Sequence, residues 1–223
     1  MKSASSLHAI ILARSGSKRI PGKNFSLEFE PGRTLLQIAI EKTLEVAGSA
    51  LVSTDSEHVA DIAAGHGADT IISPHHGDNS TSIDAVCYAA DAHGWTGTVL
   101  LAQLTSPLVE VEHIRSAVEA FDGTHPLFAA RSASEIFWAW DEDGPIFPQW
   151  QGVRSQEHPH AYLPAGAFYV GTIEHFRDRE NFMRRGWRPF EIPREMAIDV
   201  DTIDDLRYTQ WQARRLRDLQ QAQ

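Results

Sequence analysis

The chain has 223 residues, of which 42% are hydrophobic and 22% charged, and its formal net charge is −10. This length suits one sizeable α/β domain over residues 1–223, and the acidic balance argues against a nucleic-acid binder. No signal peptide is evident, and no apolar run approaches the roughly 18 residues of a membrane span. One cysteine excludes an internal disulfide, so we expect a cytoplasmic protein without membrane attachment.

The first informative stretch is an apolar run followed by a cationic loop. Residues 9–13 are typical of a buried strand, and Arg14, Lys18, Arg19 and Lys23 follow among small residues. Ligands of open α/β sheets bind at the carboxyl ends of strands, and such cations neutralise phosphates. The pattern therefore indicates a phosphate site, although its spacing matches neither the Walker loop nor the dinucleotide glycine fingerprint. A solvated basic turn is the alternative.

Strand and helix patterns then alternate through about residue 130, which favours a mainly parallel sheet with helices on both faces. Thr54 and Glu57 have the spacing of a capping box at the start of the second helix. Helices are predicted at residues 34–46, 54–65, 82–92, 111–121 and 202–219, and strands at residues 9–13, 50–53, 69–73, 98–102, 127–130, 167–171 and 196–200.

The rhythm changes over residues 131–164, which hold three of the six tryptophans, Trp138, Trp140 and Trp150. A Gly-Pro pair and further prolines predict a hairpin-like insertion rather than another βα unit. Such an aromatic segment covers a pocket or packs against a second subunit. A small satellite hydrophobic cluster is an equally good interpretation.

Two carboxylates near the end of the chain have the spacing of a metal site. If residues 196–200 form a strand, Asp199 and Asp201 project to the same side, about 6–7 Å apart. Two hard carboxylates suit Mg²⁺ when phosphate oxygens and water complete the octahedron. The alternative is that Asp201 or Thr202 simply caps the helix that follows.

Two other polar stretches are weaker candidates. The turn at residues 103–107 follows a predicted strand, and its amide and hydroxyl groups could contact a base or ribose. Arg154 stands beside Ser155 and Gln156, with tyrosines further along, so a substrate carboxylate is one candidate ligand. A plain surface arginine is the better interpretation of that segment when it is taken alone.

Taken together, these stretches resemble a known family. Residues 11–24, ILARSGSKRIPGKN, resemble the opening signature of the acylneuraminate cytidylyltransferases, the CMP-sialic acid synthetases and their legionaminic and pseudaminic acid relatives. The resemblance holds in order and spacing over most of the chain. It continues at residues 52–56, 101–108, 113–115, 154–156, 165–169 and 198–202.

This resemblance implies a Rossmann-like, three-layer nucleotidyltransferase fold. It further implies CTP as donor, a nine-carbon sialic-like (nonulosonic) acid as acceptor, Mg²⁺ as cofactor and a homodimer built through the insertion. By matching position it implies catalytic roles for Arg14, Lys18 and Lys23, nucleotide contacts for Ala13, Arg14, Ser15, Gly16, Asn24, Ser82 and Gln103, sugar-acid contacts for Gln103, Arg154, Gln156 and Tyr169, and Mg²⁺ at Asp199 and Asp201.

The sequence departs from the family pattern at three positions. Ser73 stands where relatives place a cytosine-reading arginine before a proline, and Ala165 replaces an Asn or Asp. Leu104 replaces a proline. The choice of base and of sugar acid is therefore open. A same-fold transferase for another nucleotide or sugar acid, or a non-catalytic nucleotide-binding module, is the alternative to a CMP-nonulosonate synthetase.

Overall fold

A computed structural model describes residues 6–17, 20–77 and 79–221 of the chain. The strands are β1 (Leu7–Leu12), β2 (Glu28–Glu30), β3 (Arg33–Thr34), β4 (Leu51–Thr54), β5 (Asp69–Ile72), β6 (Thr98–Ala102), β7 (Leu127–Ser132), β8 (Trp140–Asp141), β9 (Gly144–Pro145), β10 (Tyr162–Thr172) and β11 (Arg188–Glu191). The helices are α1 (Leu35–Ala47), α2 (Glu57–Gly65), α3 (Ser82–His93), α4 (Val111–Ala120), α5 (Ile173–Arg177) and α6 (Ile203–Gln221).

Seven of these strands form one sheet in the order β11-β7-β10-β6-β1-β4-β5. β10 runs antiparallel to its neighbours β6 and β7, and the other pairs are parallel. Helices α1, α2, α4 and α6 pack on one face of the sheet, and α3 and α5 pack on the other. This three-layer, mainly parallel α/β architecture confirms the predicted fold class.

The central strand β1 explains why its sequence is continuously apolar. Ile10 packs with α3 and α5, whereas Ile11 packs with α1, and both side chains are fully buried. Helices cover both faces of a parallel sheet, so neither side of a central strand can be polar. The carboxyl end of β1 therefore delivers the cationic loop directly to the edge where β4 and β6 also end.

The last predicted strand, at residues 196–200, is wrong. In the structure Met196, Ile198 and Val200 pack onto the core beside α1 and α6, and they pair with no strand of the described chain. Their alternation reflects packing against helices. The edge of the sheet is β11 instead, parallel to β7, and its mostly exposed residues carry no apolar alternation that would have predicted it.

The predicted capping box at Thr54 is also wrong, because β4 is one residue longer than its apolar pattern. Thr54 is buried and pairs with Ile72 of β5. Ser56 takes the N-cap position of α2 without a side-chain hydrogen bond. The Thr54 hydroxyl instead accepts a hydrogen bond from the Ser56 backbone N–H at 3.3 Å.

The hairpin-like insertion lies between β7 and β10, which pair up to Ser132 and Tyr162. It contains the two-stranded β8–β9 hairpin and three short 3₁₀ turns. Phe137 contacts Trp150 and His158 in a small aromatic cluster. Trp138, Trp140 and Ile146 in the same segment are largely exposed. No helix within the described ranges combines the length and apolar character of a membrane span.

Lys42 on α1 gives the fold a distinctive dependence on pH. Burial lowers the pKa of this ammonium from 10.5 to about 8, and Arg33 adds to the effect. Between these two values the unfolded chain binds more protons than the native chain, so stability rises with pH. Relative to Lys42→Met, the free energy of unfolding should rise by up to about 3 kcal/mol from pH 8 to 10.5. Denaturant titrations of both proteins across this range test it, and parallel profiles would contradict it.

Candidate functional site

A cleft of about 320 Å³ opens at the carboxyl ends of the central strands. Three segments that are far apart in the sequence meet there: the loop after β1, the loop after β6 and the segment before α6. The lining residues are Leu12, Arg14, Gly16, Ser17, Lys23, Asn24, Gln103, Leu104, Thr105 and Asp201. Of the predicted site residues, the cleft thus gathers Arg14, Gly16, Lys23, Asn24, Gln103 and Asp201.

The cationic loop leaves β1 along a defined path. The Ala13 backbone N–H donates to the Ser53 carbonyl at 2.9 Å, which continues the pairing with β4 one residue beyond the strand. The Ser15 N–H donates to the Asp55 carboxylate at 2.7 Å. Asp55 therefore fixes the loop, whereas Ala13 and Ser15 are not among the residues that line the cleft. Lys18 lies outside the described residues.

The loop returns through a tight turn that presents Lys23 and Asn24. Gly22 has φ +70°, and a Cβ atom there would lie 2.8 Å from the Ser26 hydroxyl oxygen, so glycine is required. The Asn24 side-chain amide donates to the Arg14 carbonyl at 2.9 Å and closes the loop. The side-chain oxygen of Asn24 is buried and accepts no hydrogen bond within the described chain. Asn24 itself is one of the residues that line the cleft.

Lys23 joins the two ends of the chain. Its side chain is 8% exposed, its ammonium donates to the Val200 carbonyl, and Nζ lies 3.7 Å from Asp201 Oδ1. Asp201 is 52% exposed on the cleft side. A buried ammonium beside a carboxylate and at the floor of an open cleft is a fixed cation that needs no reorganisation to meet a phosphate.

Asp199, two residues before Asp201, is exposed as a whole residue, whereas its carboxyl group lies against Thr105 and Gly166. Burial raises the pKa of its carboxyl above the ordinary value, and the Asp201 charge adds to the rise. A hydrogen bond from Thr105 and the charge of Lys23 act in the opposite direction. Gly166, which lies next to this carboxylate, has φ +68°, a left-handed conformation that favours glycine.

The helix cap that competed with the metal interpretation is present, and of the two residues named for it Thr202 forms it, not Asp201. Thr202 and Asp205 exchange hydrogen bonds at the start of α6: the Thr202 N–H donates to Asp205 Oδ2 at 2.7 Å, and the Asp205 N–H donates to the Thr202 hydroxyl at 3.2 Å. The side chain of Asp201 is thus not needed for the cap and lines the cleft.

The donor set of the cleft fits Mg²⁺ bound together with a nucleotide. No three His, Cys, Asp or Glu side chains converge on a metal-sized site in the described part of the chain. Nucleotide enzymes bind Mg²⁺ through one or two carboxylates plus phosphate oxygens and water, so Asp199 and Asp201 suffice. Burial, and to a smaller extent the Asp201 charge, hold the pKa of Asp199 above its ordinary value, and a bound cation would favour the ionised carboxylate.

The predicted sugar-acid residues lie apart from the cleft lining, except Gln103. Tyr169 is half-buried on β10, packed against Phe182 and Trp187, and burial together with the Asp199 charge raises its pKa. Arg154 and Gln156 are exposed beside the last 3₁₀ turn of the insertion. Ser82 is exposed at the first turn of α3.

The structure adds residues that the sequence did not identify as site residues. Thr105 lines the cleft and holds Asp199, and Ser17 and Leu12 line the cleft as well. Asp55 orders the loop through Ser15. Thr105 and Ser17 belong to the two polar loops that the sequence indicated, but only tertiary contacts reveal which of their side chains face inward.

The fold and the cleft define an α/β protein of the nucleotidyltransferase class, in which Arg14 and Lys23 share with Asp201 a cleft at the strand ends. The chain belongs to the cytidylyltransferase family, whose family model matches residues 8–142. The predicted family is therefore confirmed, and the chain is an enzyme of the nucleotidyltransferase class.

Relatives with known names are similar over nearly the whole chain. The pseudaminic acid cytidylyltransferase of Campylobacter jejuni is 28% identical over 217 residues, which cover 89% of this chain and 92% of that protein. The CMP-N,N'-diacetyllegionaminic acid synthase of Legionella pneumophila is 29% identical, and the match covers 91% of this chain and 94% of that protein. The N-acylneuraminate cytidylyltransferase of Streptococcus agalactiae is 28% identical. The match covers 88% of this chain but only 50% of that longer protein.

Solved structures share the fold at lower identity. CMP:2-keto-3-deoxy-manno-octonic acid synthetase complexed with CTP superposes with a TM-score of 0.71 at 18% identity, covering 95% of this chain and 99% of that one. A 4-diphosphocytidyl-2C-methyl-D-erythritol synthase from Anaerococcus prevotii superposes with a TM-score of 0.67 at 14% identity. The match covers 94% of this chain and 96% of that one. Both show the architecture of the chain.

Proposed function

We propose that this enzyme transfers CMP from CTP to a nonulosonic acid and releases pyrophosphate. Lys23 carries the proposal: a buried cation, it joins the phosphate-binding loop to the carboxylates before α6 at the floor of one cleft. The chain belongs to the cytidylyltransferase family. The relatives that it matches over more than 90% of their own length are a pseudaminic acid cytidylyltransferase and a CMP-legionaminic acid synthase.

The reaction we propose is an in-line displacement at phosphorus. The anomeric hydroxyl oxygen of the sugar acid forms a bond to the α-phosphorus of CTP as the bond to the bridging oxygen breaks. Pyrophosphate takes the leaving electron pair, and the hydroxyl proton passes to solvent. Such a transfer needs positioning and charge neutralisation rather than a covalent intermediate.

The cationic loop supplies that neutralisation in this proposal. Arg14, Lys18 and Lys23 would contact the triphosphate, and Lys23 with Asn24 would lie nearest the reacting phosphate. Arg14, Lys23 and Asn24 already line one cleft. Ala13, Ser15 and Gly16 would bring backbone groups to the nucleotide. A preorganised cation in a partly buried site stabilises developing phosphate charge better than a solvated one.

Mg²⁺ is the cofactor that we propose, held by Asp199 and Asp201. When bound, it would add positive charge at the phosphates and help to orient them. The fit of the two carboxylates to this role supports the proposal, as does the Thr105 hydrogen bond that orients Asp199. Lys23, next to Asp201, would then share the phosphate charge with the metal.

We propose the residues that contact the two substrates from their matching positions in the family motifs. Gln103 lies in the cleft, where it would contact both substrates, and Ser82 would contact the nucleoside. Tyr169, Arg154 and Gln156 would face the sugar acid. Ser73 leaves the choice of base open, because its buried hydroxyl accepts a hydrogen bond from the His75 N–H within its own loop.

A pyrophosphate-release assay tests the proposal. CTP, ATP, GTP and UTP are each supplied with sialic, legionaminic, pseudaminic and eight-carbon acids. Release with CTP and a nine-carbon acid supports the proposal. Release only with another nucleotide or with the eight-carbon acid indicates a different same-fold transferase. CTP binding without release under any condition indicates a non-catalytic module.

We also propose a homodimer that forms through the insertion, in a cytoplasmic enzyme with a single cysteine. Trp138, Trp140 and Ile146 are 46%, 65% and 50% exposed, and grouped exposed apolar side chains are typical of protein interfaces.

We expect sedimentation analysis to give about twice the chain mass of 24.8 kDa. Trp140→Glu should weaken self-association by about tenfold or more, since it would bury a charge at the interface. Ile72→Glu is the matched control, because Ile72 is an exposed apolar residue on the edge strand β5, several strands away from the β7 and β10 strands that flank the insertion. A monomeric wild-type protein would contradict the dimer and favour the insertion as a cover for the cleft.

A further inference from the structure

The loop between β6 and α4, residues 103–110, forms one wall of the cleft through Gln103, Leu104 and Thr105. Its other side, which faces α1, is held by hydrogen bonds. Lys42 of α1 donates hydrogen bonds to the carbonyls of Pro107 and Val109, the latter at 2.8 Å. On the cleft side, the Gln103 N–H donates to Ala167 at 2.9 Å. The loop is therefore fixed at both ends by groups outside it.

A small cavity lies under this loop, and two orphaned hydroxyls share it. Thr43 is 1% exposed and Ser106 is 6% exposed, and both line the cavity together with Lys42. Thr43 Oγ1 and Ser106 Oγ are buried and find no hydrogen-bond partner within the described chain. Buried hydroxyls are rarely left unsatisfied, because their desolvation is costly.

The cavity has the size and the polarity for one water molecule. Its volume is about 20 Å³, above the roughly 10–15 Å³ that one buried water requires. A water there would find two hydroxyls and the Lys42 ammonium among the lining groups, and buried waters typically make about three hydrogen bonds. Gln103 and Leu104 line both this cavity and the cleft.

We propose that Lys42, Thr43 and Ser106 form a polar anchor, completed by one buried water, which positions the 103–110 loop for nucleotide binding. Lys42 is a positioning residue in this arrangement, since it touches the loop and not the cleft. Its effect reaches the cleft through Thr105, whose carbonyl accepts the Val200 N–H at 2.8 Å and whose side chain holds Asp199. The nucleotide role rests on the proposed function, whereas the anchor itself does not.

Charged groups surround Lys42 on every side and fix how it responds to pH. The β2–β3 hairpin brings Glu30 and Arg33, α1 brings Glu41, the residue before α4 is Glu110, and α6 brings Arg217. The three carboxylates favour the charged lysine, whereas burial and Arg33 oppose it. Loss of the proton near pH 8 would weaken the donors to Pro107 and Val109, so we expect CTP affinity to fall as the pH rises through this range.

Thr43→Val and Ser106→Ala test the buried water by the sign of their effect. If a water bridges the hydroxyls, each substitution should lower the melting temperature, and Thr43→Ser, which keeps the hydroxyl, should lower it less than Thr43→Val. If the hydroxyls are truly orphaned, removing them should leave the melting temperature unchanged or raise it. The second result would overturn the water site.

Lys42→Met tests the positioning role with two readouts. Hydrogen exchange of the peptide covering residues 103–110, in the nucleotide-free protein, should accelerate about tenfold while β1 and β4 stay protected. CTP affinity should fall about tenfold and lose its decline through pH 8, with a smaller change in the KM for the sugar acid. Glu45→Gln, one turn along α1 and exposed, is the control that should change neither.

The outcomes separate the anchor from the proposed function. Unchanged exchange in the 103–110 peptide would overturn the anchor whatever the activity. Faster exchange with unchanged CTP affinity would overturn the positioning role. If the Lys42→Met variant exchanges faster but the wild-type enzyme neither binds nor consumes CTP, the anchor is supported and the proposed function is refuted.

Discussion

Replacing Lys23 with alanine should lower kcat by about 1,000-fold and leave the protein folded. The ammonium lies at the cleft floor, bound to the Val200 carbonyl and near Asp201, where a phosphate would meet it. Removing one preorganised charge donor from such a site typically costs about 100- to 1,000-fold in rate. The carboxylate of Asp201 is 52% exposed, so water can solvate it when the lysine is lost.

Steady-state assays with CTP and the active sugar acid measure this effect, with thermal unfolding of the same samples to confirm the fold. Lys23→Met separates charge from packing, because it keeps the apolar stem and removes the ammonium. Both variants should lose activity to a similar extent. Near-normal turnover by either folded variant would refute the role of Lys23.

Asp201→Asn and Asp199→Asn should have the second largest effect, a fall in kcat of about 100-fold or more. Each substitution keeps the shape of the side chain and removes one anionic oxygen, which weakens a hard-cation site. The Mg²⁺ concentration that gives half-maximal rate should rise about tenfold or more. Rates measured over a range of Mg²⁺ concentrations, at saturating CTP, provide the test.

Asp204→Asn is the matched control for these variants. Asp204 lies three residues after Asp201, in the first turn of α6, and is 86% exposed outside the cleft lining. It should retain wild-type rates and the wild-type Mg²⁺ dependence. If Asp201→Asn behaves like Asp204→Asn, the metal site lies elsewhere.

Much of the fold could be predicted because burial on both faces of a sheet leaves continuous apolar runs. The runs at β1 and β6 predicted their strands closely, and Thr34 and Gly48 end α1 as capping residues. The errors occur where packing overrides local pattern. Residues 196–200 alternate because they face α1 and α6, and β11 is an edge strand without an apolar signature.

The candidate site divides in the same way. Arg14, Lys23 and Asn24 were identifiable because one short loop concentrates them beside a strand end. Asp201 joins them in the cleft although the predicted strand is absent, since Thr202 and Asp205 cap α6 in its place. Thr105, Lys42 and the hydroxyls under the 103–110 loop depend on contacts between distant segments, and no local pattern reveals those.

The most direct test of the central claim is ³¹P NMR of a reaction that contains the enzyme, CTP, Mg²⁺ and each candidate nonulosonic acid. The proposed chemistry predicts that the three CTP resonances decline while the phosphodiester resonance of a CMP-sugar and the pyrophosphate resonance grow with about a 1:2 intensity ratio, one phosphorus against two. Persistence of the CTP resonances with every nonulosonic acid, from an enzyme shown to be folded, would contradict it.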